Sequence, residues 1–248
     1  GAEYSGAAEL GGYIADLRVS KQSRYTSNFT PPTAPLTAVS GTSLLCNFTD
    51  ADVIDGTGFN NVKLVGNATI DGTTKKYGDG SLTFDGTGDR LVLPHNINLQ
   101  MGNADFTIEA WIYINAHKNY NYIYSYGYPY QLTVDSSGHF DCYFNNTDNS
   151  TSYIVGSGTT VIPVDTWTHV AVVRSGSSFK TYVNGTNDAS VTSTEILAVP
   201  TSYSPVVGDW GGTGYTVNGK IDDLRITKGV ARYTANFTAP DKLVDSGT

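Results

Sequence analysis

The segment DFTIEAWIYIN, residues 105–115, excludes more folds than any other stretch of the chain. Phe106, Ile108, Ala110, Ile112 and Ile114 alternate with Glu109, Trp111 and Tyr113. A period of two belongs to a strand with one buried face, not to a helix. Similar runs recur at short intervals. SLTFDGTGDRLVLP (81–94) reads as two extended segments around a Gly-Asp turn, and YQLTVDSSGHFDCYF (130–144) as a hairpin across Ser-Ser-Gly. WTHVAVVRSGSSFKTYVNG (167–185) is another hairpin, and VNGKIDDLRIT (217–227) supplies a closing strand. No window shows an amphipathic helical period with caps at both ends. The expectation is an all-β chain folded as an antiparallel sandwich.

Composition narrows the function classes. The 248 residues carry 15 Lys+Arg against 23 Asp+Glu, a net charge of −8, with the basic residues scattered. Nucleic acid is therefore not an expected partner, since that affinity rests on clustered Lys and Arg. No run of 18 apolar residues and no signal-like segment occurs, so membrane insertion is not expected either. The start at Gly1 rather than Met suggests an excerpt or a processed product. Cys46 and Cys142 form no metal motif and are read as buried free thiols.

An internal echo organises the chain. GYIADLRVSKQSRYTSNFTPP, from Gly12, reappears as GKIDDLRITKGVARYTANFTAP, from Gly219. Asp16/Asp223, Arg18/Arg225, Arg24/Arg232, Tyr25/Tyr233, Asn28/Asn236 and Phe29/Phe237 are kept, with one residue inserted. This predicts a window cut from a tandem array. Residues 1–38 would be the tail of a preceding repeat plus a Pro/Ser/Thr linker, and 39–248 one complete domain. Residues 12–20 would then be an orphan strand whose unpaired edge invites self-association.

GSLTFDGTGDRLVLP, DFTIEAWIYIN, WTHVAVVRSGSSFKTYVNGT and GKIDDLRIT, in that order, resemble the laminin-G-like modules of the concanavalin A-like lectin/glucanase superfamily. GVARYTANFTAP and LLCNFTDADVIDGTG resemble the versions in phage virion and tail-fibre proteins and bacterial surface proteins. The resemblance implies a jelly roll of two curved sheets. It also implies an extracellular or virion-surface setting, with roles ranging from lectin and adhesion module to glucanase or plain spacer.

Three kinds of site follow. A retaining glycosidase needs two carboxyls about 5–5.5 Å apart. The only glutamates are Glu3, Glu9, Glu109 and Glu195, none with a carboxylate two residues away, so catalysis is not expected. Calcium needs six to eight oxygens. FDGTGD offers Asp85 and Asp89, and IDDLR offers Asp222 and Asp223, although Asp222 corresponds to Ala15 in the echo. The plainer reading gives Asp85 and Asp89 hydrogen bonds within their own turns, and pairs Asp223 with Arg90 or Arg225. DADVIDG (50–56) lacks the spacing of a calcium loop and reads as a turn.

The third is aromatic. NYNYIYSYGYPY (119–130) places tyrosines at every second position from Tyr120 to Tyr130. With Ile123 inward, Tyr122, Tyr124 and Tyr126 would face outward as a stacking surface for a cell-surface glycan or polysaccharide, joined by Asn121, Trp210 and Tyr215. With the opposite parity they would be core. Gly127 and Pro129 end the strand before Tyr130. Trp111 and Trp167 are expected in the core. The combined expectation is a non-catalytic glycan-binding adhesion module.

Overall fold

The computed structural model describes residues 17–21, 23, 25–33, 42–46, 62–147, 155–211 and 214–241. The chain divides into two units, residues 1–52 and 53–248. In the first, β1 (Leu17–Ser20) pairs antiparallel with β2 (Thr42–Cys46), so one edge of the expected orphan strand is occupied. The DADVIDG turn lies outside the described residues.

Among the described residues of the second unit, regular secondary structure consists of strands apart from one short turn. They run β3 (Lys63–Val65), β4 (Thr69–Asp71), β5 (Ser81–Asp85), β6 (Arg90–Val92), β7 (Phe106–Ile114), β8 (Tyr120–Tyr126), β9 (Tyr130–Asp135) and β10 (His139–Phe144). They continue as β11 (Gly156–Val161), β12 (Trp167–Ser175), β13 (Ser178–Val183), β14 (Thr186–Thr192), β15 (Val206–Val207) and β16 (Asn218–Lys228). One short 3-10 turn, Ile97–Leu99, interrupts them. Two seven-stranded antiparallel sheets result, ordered β11-β10-β9-β8-β15-β6-β3 and β14-β13-β12-β7-β16-β5-β4. This is the jelly-roll sandwich the alternating segments called for.

The core lies between the sheets. Phe106, Ile108, Ala110, Ile112 and Ile114 of β7 all point into it, as their alternation requires. They meet Leu132, Val134, Phe140, Cys142 and Phe144 from the other sheet. Cys142 is a free buried thiol, and burial pushes it well above its ordinary pKa.

The tyrosine row is split by a register shift. Tyr122 of β8 opposes Thr133 and Tyr124 opposes Leu132, so Ile123 is an extra, bulged residue. Before the bulge, Tyr120 and Tyr122 face outward. After it, Tyr124 and Tyr126 face the core and are fully buried with Tyr130. The outward placement of Tyr124 and Tyr126 is thus corrected, and neither single parity describes the strand. The loop 127–129 closes the hairpin to β9, with Gly127 at φ +61°.

The outer face of the β7 sheet is also covered. Trp111 is buried there, not between the sheets as expected, under the Lys76 ammonium 4.0 Å from its ring. Trp167 is only half-buried, against Tyr113. The chain after β16 crosses this face and stacks Tyr233 on Phe237 at 3.5 Å, above Tyr182 and His169. Beneath them the Glu109 carboxylate accepts from Arg225 at 2.7 Å, Tyr233 at 2.8 Å and His169 at 3.2 Å. Burial pushes Glu109 up, but the bonds from His169 and Arg225 outweigh it and hold the group below its usual pKa. A bulge in β16 aims Arg225 there: Asp222 opposes Trp111 and Arg225 opposes Glu109, with Asp223 at φ +48° between them.

Two core tyrosines of the same composition should respond oppositely to loss of the hydroxyl. The Tyr130 hydroxyl donates to Ala198 O and accepts from Met101 N, whereas that of Tyr124 has no hydrogen-bond partner among the described residues. Tyr130→Phe is expected to cost about 1–3 kcal/mol and Tyr124→Phe to stabilise by up to about 1 kcal/mol, read from urea unfolding midpoints.

Candidate functional site

The bulge in β8 organises the surface above it. The Ile123 carbonyl accepts from Gly208 N at 3.1 Å, and Tyr122 N donates to Tyr215 O, which tie the loop between β15 and β16 onto the strand. Ser125 Oγ adds a bond to Asp209 O at 3.0 Å. Trp210 and Tyr215 are thereby held over the outward half of the strand.

The result is a continuous aromatic surface. Tyr122 lies nearly parallel to Trp210, with centroids 5.9 Å apart and planes 17° from coplanar. Tyr128 meets Trp210 edge-on at 4.9 Å, and Tyr215 meets Trp210, Tyr122 and Tyr120. Tyr203 extends the row past Tyr128. Its ring rests on Gly127, where an added Cβ would come within 2.5 Å of it, so glycine is required at that turn. Tyr128, Tyr203, Tyr215 and Tyr120 are exposed, Tyr128 at 54 %, although Tyr122 itself is 5 % exposed beneath them.

Polar groups border the rings. The Tyr122 hydroxyl donates to Gln131 Oε1 at 2.9 Å, and the Gln131 amide donates to Tyr128 O. On the next strand the Tyr143 hydroxyl donates to Asp141 Oδ2 at 2.7 Å. Asp141, Thr133 and Tyr122 form one cross-strand row, which puts Asp141 about 10 Å from Tyr122 by the usual strand spacing. The surface therefore combines flat apolar faces with fixed hydroxyl and amide groups at their edges. Such a surface suits a ligand that is apolar on its faces and hydroxylated around its rim.

Of the residues picked from sequence, Tyr122, Trp210 and Tyr215 converge here. Tyr124 and Tyr126 are in the core, below the strand. Asn121 is fully buried and acts as a clamp: its amide donates to Ala116 O and accepts from Asn218 N. Tyr120, Tyr128, Tyr143, Tyr203, Gln131 and Asp141 complete the surface. The sequence carried a signal only for Tyr120 and Tyr128, as members of the alternating row.

The aspartates do not gather. Asp85 opposes Asn218 and Asp222 lies four residues further along β16, about 13 Å away. Asp89 is buried, accepting from Asn67 N and Asp85 N. Asp85 accepts from Asn67 and Thr87, bonds that hold it below its usual pKa. Asp222 accepts from Lys76 N and Tyr77 N. Asp223 occupies the strained position of the β16 bulge. Among the described residues no group of three or more His, Cys, Asp or Glu could hold a metal ion. The bonds from Asp85 N and Thr87 N lie within the 85–89 turn, whereas Asn67 reaches Asp85 and Asp89 from the preceding turn and Asp222 caps the distant Lys76–Tyr77 segment.

Asp141 is the strained member of the surface. Burial pushes its carboxyl above the ordinary value against the lowering pull of Tyr143, and its Oδ1 has no partner among the described residues. A raised folded pKa means the charged form disfavours folding, with stability falling as pH rises through that pKa. Asp141→Asn should therefore raise the melting temperature at pH 7, and the gain should shrink as pH is lowered through the carboxyl's folded pKa. Differential scanning calorimetry across pH checks it.

Comparison with solved structures returns β-sandwich domains at low identity. The binding domain of Paraclostridial Mosquitocidal Protein 1 superposes with a TM-score of 0.58 at 11 % identity, covering 71 % of this chain and 45 % of that one. Domain 4 of AbnA, a GH43 extracellular arabinanase from Geobacillus stearothermophilus solved with arabinotriose, gives 0.55 at 18 %, covering 71 % and 87 %. The binding domain of botulinum neurotoxin serotype G gives 0.56 at 12 %, covering 73 % and 46 %. The chain thus spans less than half the length of either toxin binding domain. At these identities the likeness is one of fold. No curated protein matches the chain by sequence. A family model does match, over residues 85–232, from the last residue of β5 to the segment that seals the β7 sheet. The chain belongs to the concanavalin A-like lectin/glucanases superfamily.

Proposed function

We propose that the aromatic face above β8 binds carbohydrate, and that the chain is a non-catalytic glycan-binding module of an extracellular or virion-surface protein. The observation that carries the reading is the parallel Tyr122–Trp210 pair, flanked by exposed Tyr120, Tyr128 and Tyr215. Aromatic rings offer their faces to the C–H side of a pyranose while Gln131 and the tyrosine hydroxyls meet its rim. Exposing so many adjacent rings is costly in water, which suits a surface with a partner. The arabinotriose bound by the AbnA domain of the same fold agrees with this reading.

The non-catalytic part rests on Glu109. It lies on the other sheet, 1 % exposed, with its oxygens taken by Arg225, Tyr233 and His169. A carboxylate so engaged is poorly placed to attack or protonate a glycosidic bond. Calcium, for which the aspartate turns offer candidate oxygens, enters as a condition of the assay.

Glycan-array and polysaccharide pull-down binding test the reading. Saturable binding is expected, falling at least about tenfold in Trp210→Ala and in Tyr128→Ala while their melting temperatures stay close to that of the parent. Loss of binding in EDTA would add a calcium requirement. Silence across broad arrays would favour a spacer module without ligand, and β-glucan hydrolysis abolished by Glu109→Gln would establish an enzyme.

A further inference from the structure

The N-terminal echo repeats the residues that cover the β7 sheet, and it repeats their geometry. Tyr25 and Phe29 stack at 3.5 Å with planes 10° apart; Tyr233 and Phe237 stack at 3.5 Å and 7°. The surroundings differ. Tyr233 and Phe237 are half-buried against Tyr182 and His169, whereas Tyr25 and Phe29 are 45 % and 52 % exposed.

The pattern of identity follows the contacts. Arg225 and Tyr233 bond Glu109, and Arg232 stands 3.9 Å from it. Asn236 Oδ1 accepts from Asn187 N. Each has the same residue in the echo: Arg18, Tyr25, Arg24 and Asn28. Arg232 also donates to the Thr227 hydroxyl, and the echo keeps a hydroxyl as Ser20. Two residues that bond other parts of the fold are not kept. Lys220, which pairs with Asp71, becomes Tyr13, and Asp222, which caps Lys76 and Tyr77, becomes Ala15. Every residue that meets Glu109 from this segment is kept, as are the core residue Ile221 (Ile14) and Lys228 (Lys21), which bonds Ile97 O.

We propose that residues 12–32 are the closing segment of a second laminin-G-like unit, and that the Tyr25–Phe29 pair docks on a face of that unit built like this one, a buried carboxylate flanked by histidine and tyrosine. The partner is thus a domain of this chain's own kind, with its acceptor face unsealed. In this chain the corresponding face is already occupied by the covalently attached Tyr233–Phe237 pair, which holds it at high effective concentration. The inference is independent of the carbohydrate reading, since it uses the opposite sheet.

Two experiments on the full chain test it. In the first, residues 226–240 are replaced by residues 19–32. The graft should keep the melting temperature within about 2 °C, whereas Y233A/F237A should lose at least about 4 °C. In the second, a chain carrying Y25A, F29A, Y233A and F237A is titrated with fluorescent peptides and read by anisotropy. Residues 12–32 should bind saturably, as residues 219–240 do, and the Y25A/F29A peptide at least tenfold more weakly. The proposal is overturned if the graft melts as low as Y233A/F237A, or if the 219–240 peptide binds and the 12–32 peptide does not. Should the fourfold variant fail to fold, the graft alone decides.

Discussion

A strand in a sandwich has two faces, and the fold can dehydrate only one of them between its sheets. Every other feature of this molecule answers the question of what happens to the second face. On the β7 sheet the answer is closure: Trp111 lies under Lys76, and Glu109 under the returning Tyr233–Phe237 segment. On the β8 sheet the answer is a floor of Tyr122, Thr133 and Asp141 beneath a rim of exposed rings. The asymmetry follows from where the chain goes after each sheet is built, since β16 leads directly into a covering segment.

Closure of the Glu109 face depends on charge as much as on packing. A carboxylate taken out of water is tolerable only when its lone pairs are met by donors. Here Arg225, Tyr233 and His169 meet them, the first two from 116 and 124 residues further along the chain. The segment that seals the face also supplies part of the compensation, so covering and neutralising are one event. This explains why Arg225, Tyr233 and Phe237 recur together as a set.

The fold was legible because alternation in β7 is uninterrupted, and each residue read as inward is inward. The tyrosine row was not legible because a bulge has no sequence signature of its own: Ile123 looks like an ordinary alternating residue until its pairing to β9 is known. Trp111 misled for a related reason. Its size argued for burial, which is right, but burial on a covered outer face looks the same in sequence as burial between sheets. Tyr203 and Tyr143 could not be assigned, since nothing local to them says which strand they will lie beside. Asn121 looked like a ligand for sugar and proved to be a ligand for backbone, because its amide satisfies a turn and a neighbouring strand at once.

The bulge at Ile123 has a consequence for how such a surface could change. Because one extra residue decides which tyrosines see water, the same residues paired without the bulge would put Tyr120, Tyr122, Tyr124 and Tyr126 on a single face, all displayed or all buried, without altering any side chain's chemistry. Most binding faces diversify by substitution, one contact at a time. This one has, in addition, a choice of pairing, since gain or loss of one bulge in the ladder would rewrite the whole recognition surface.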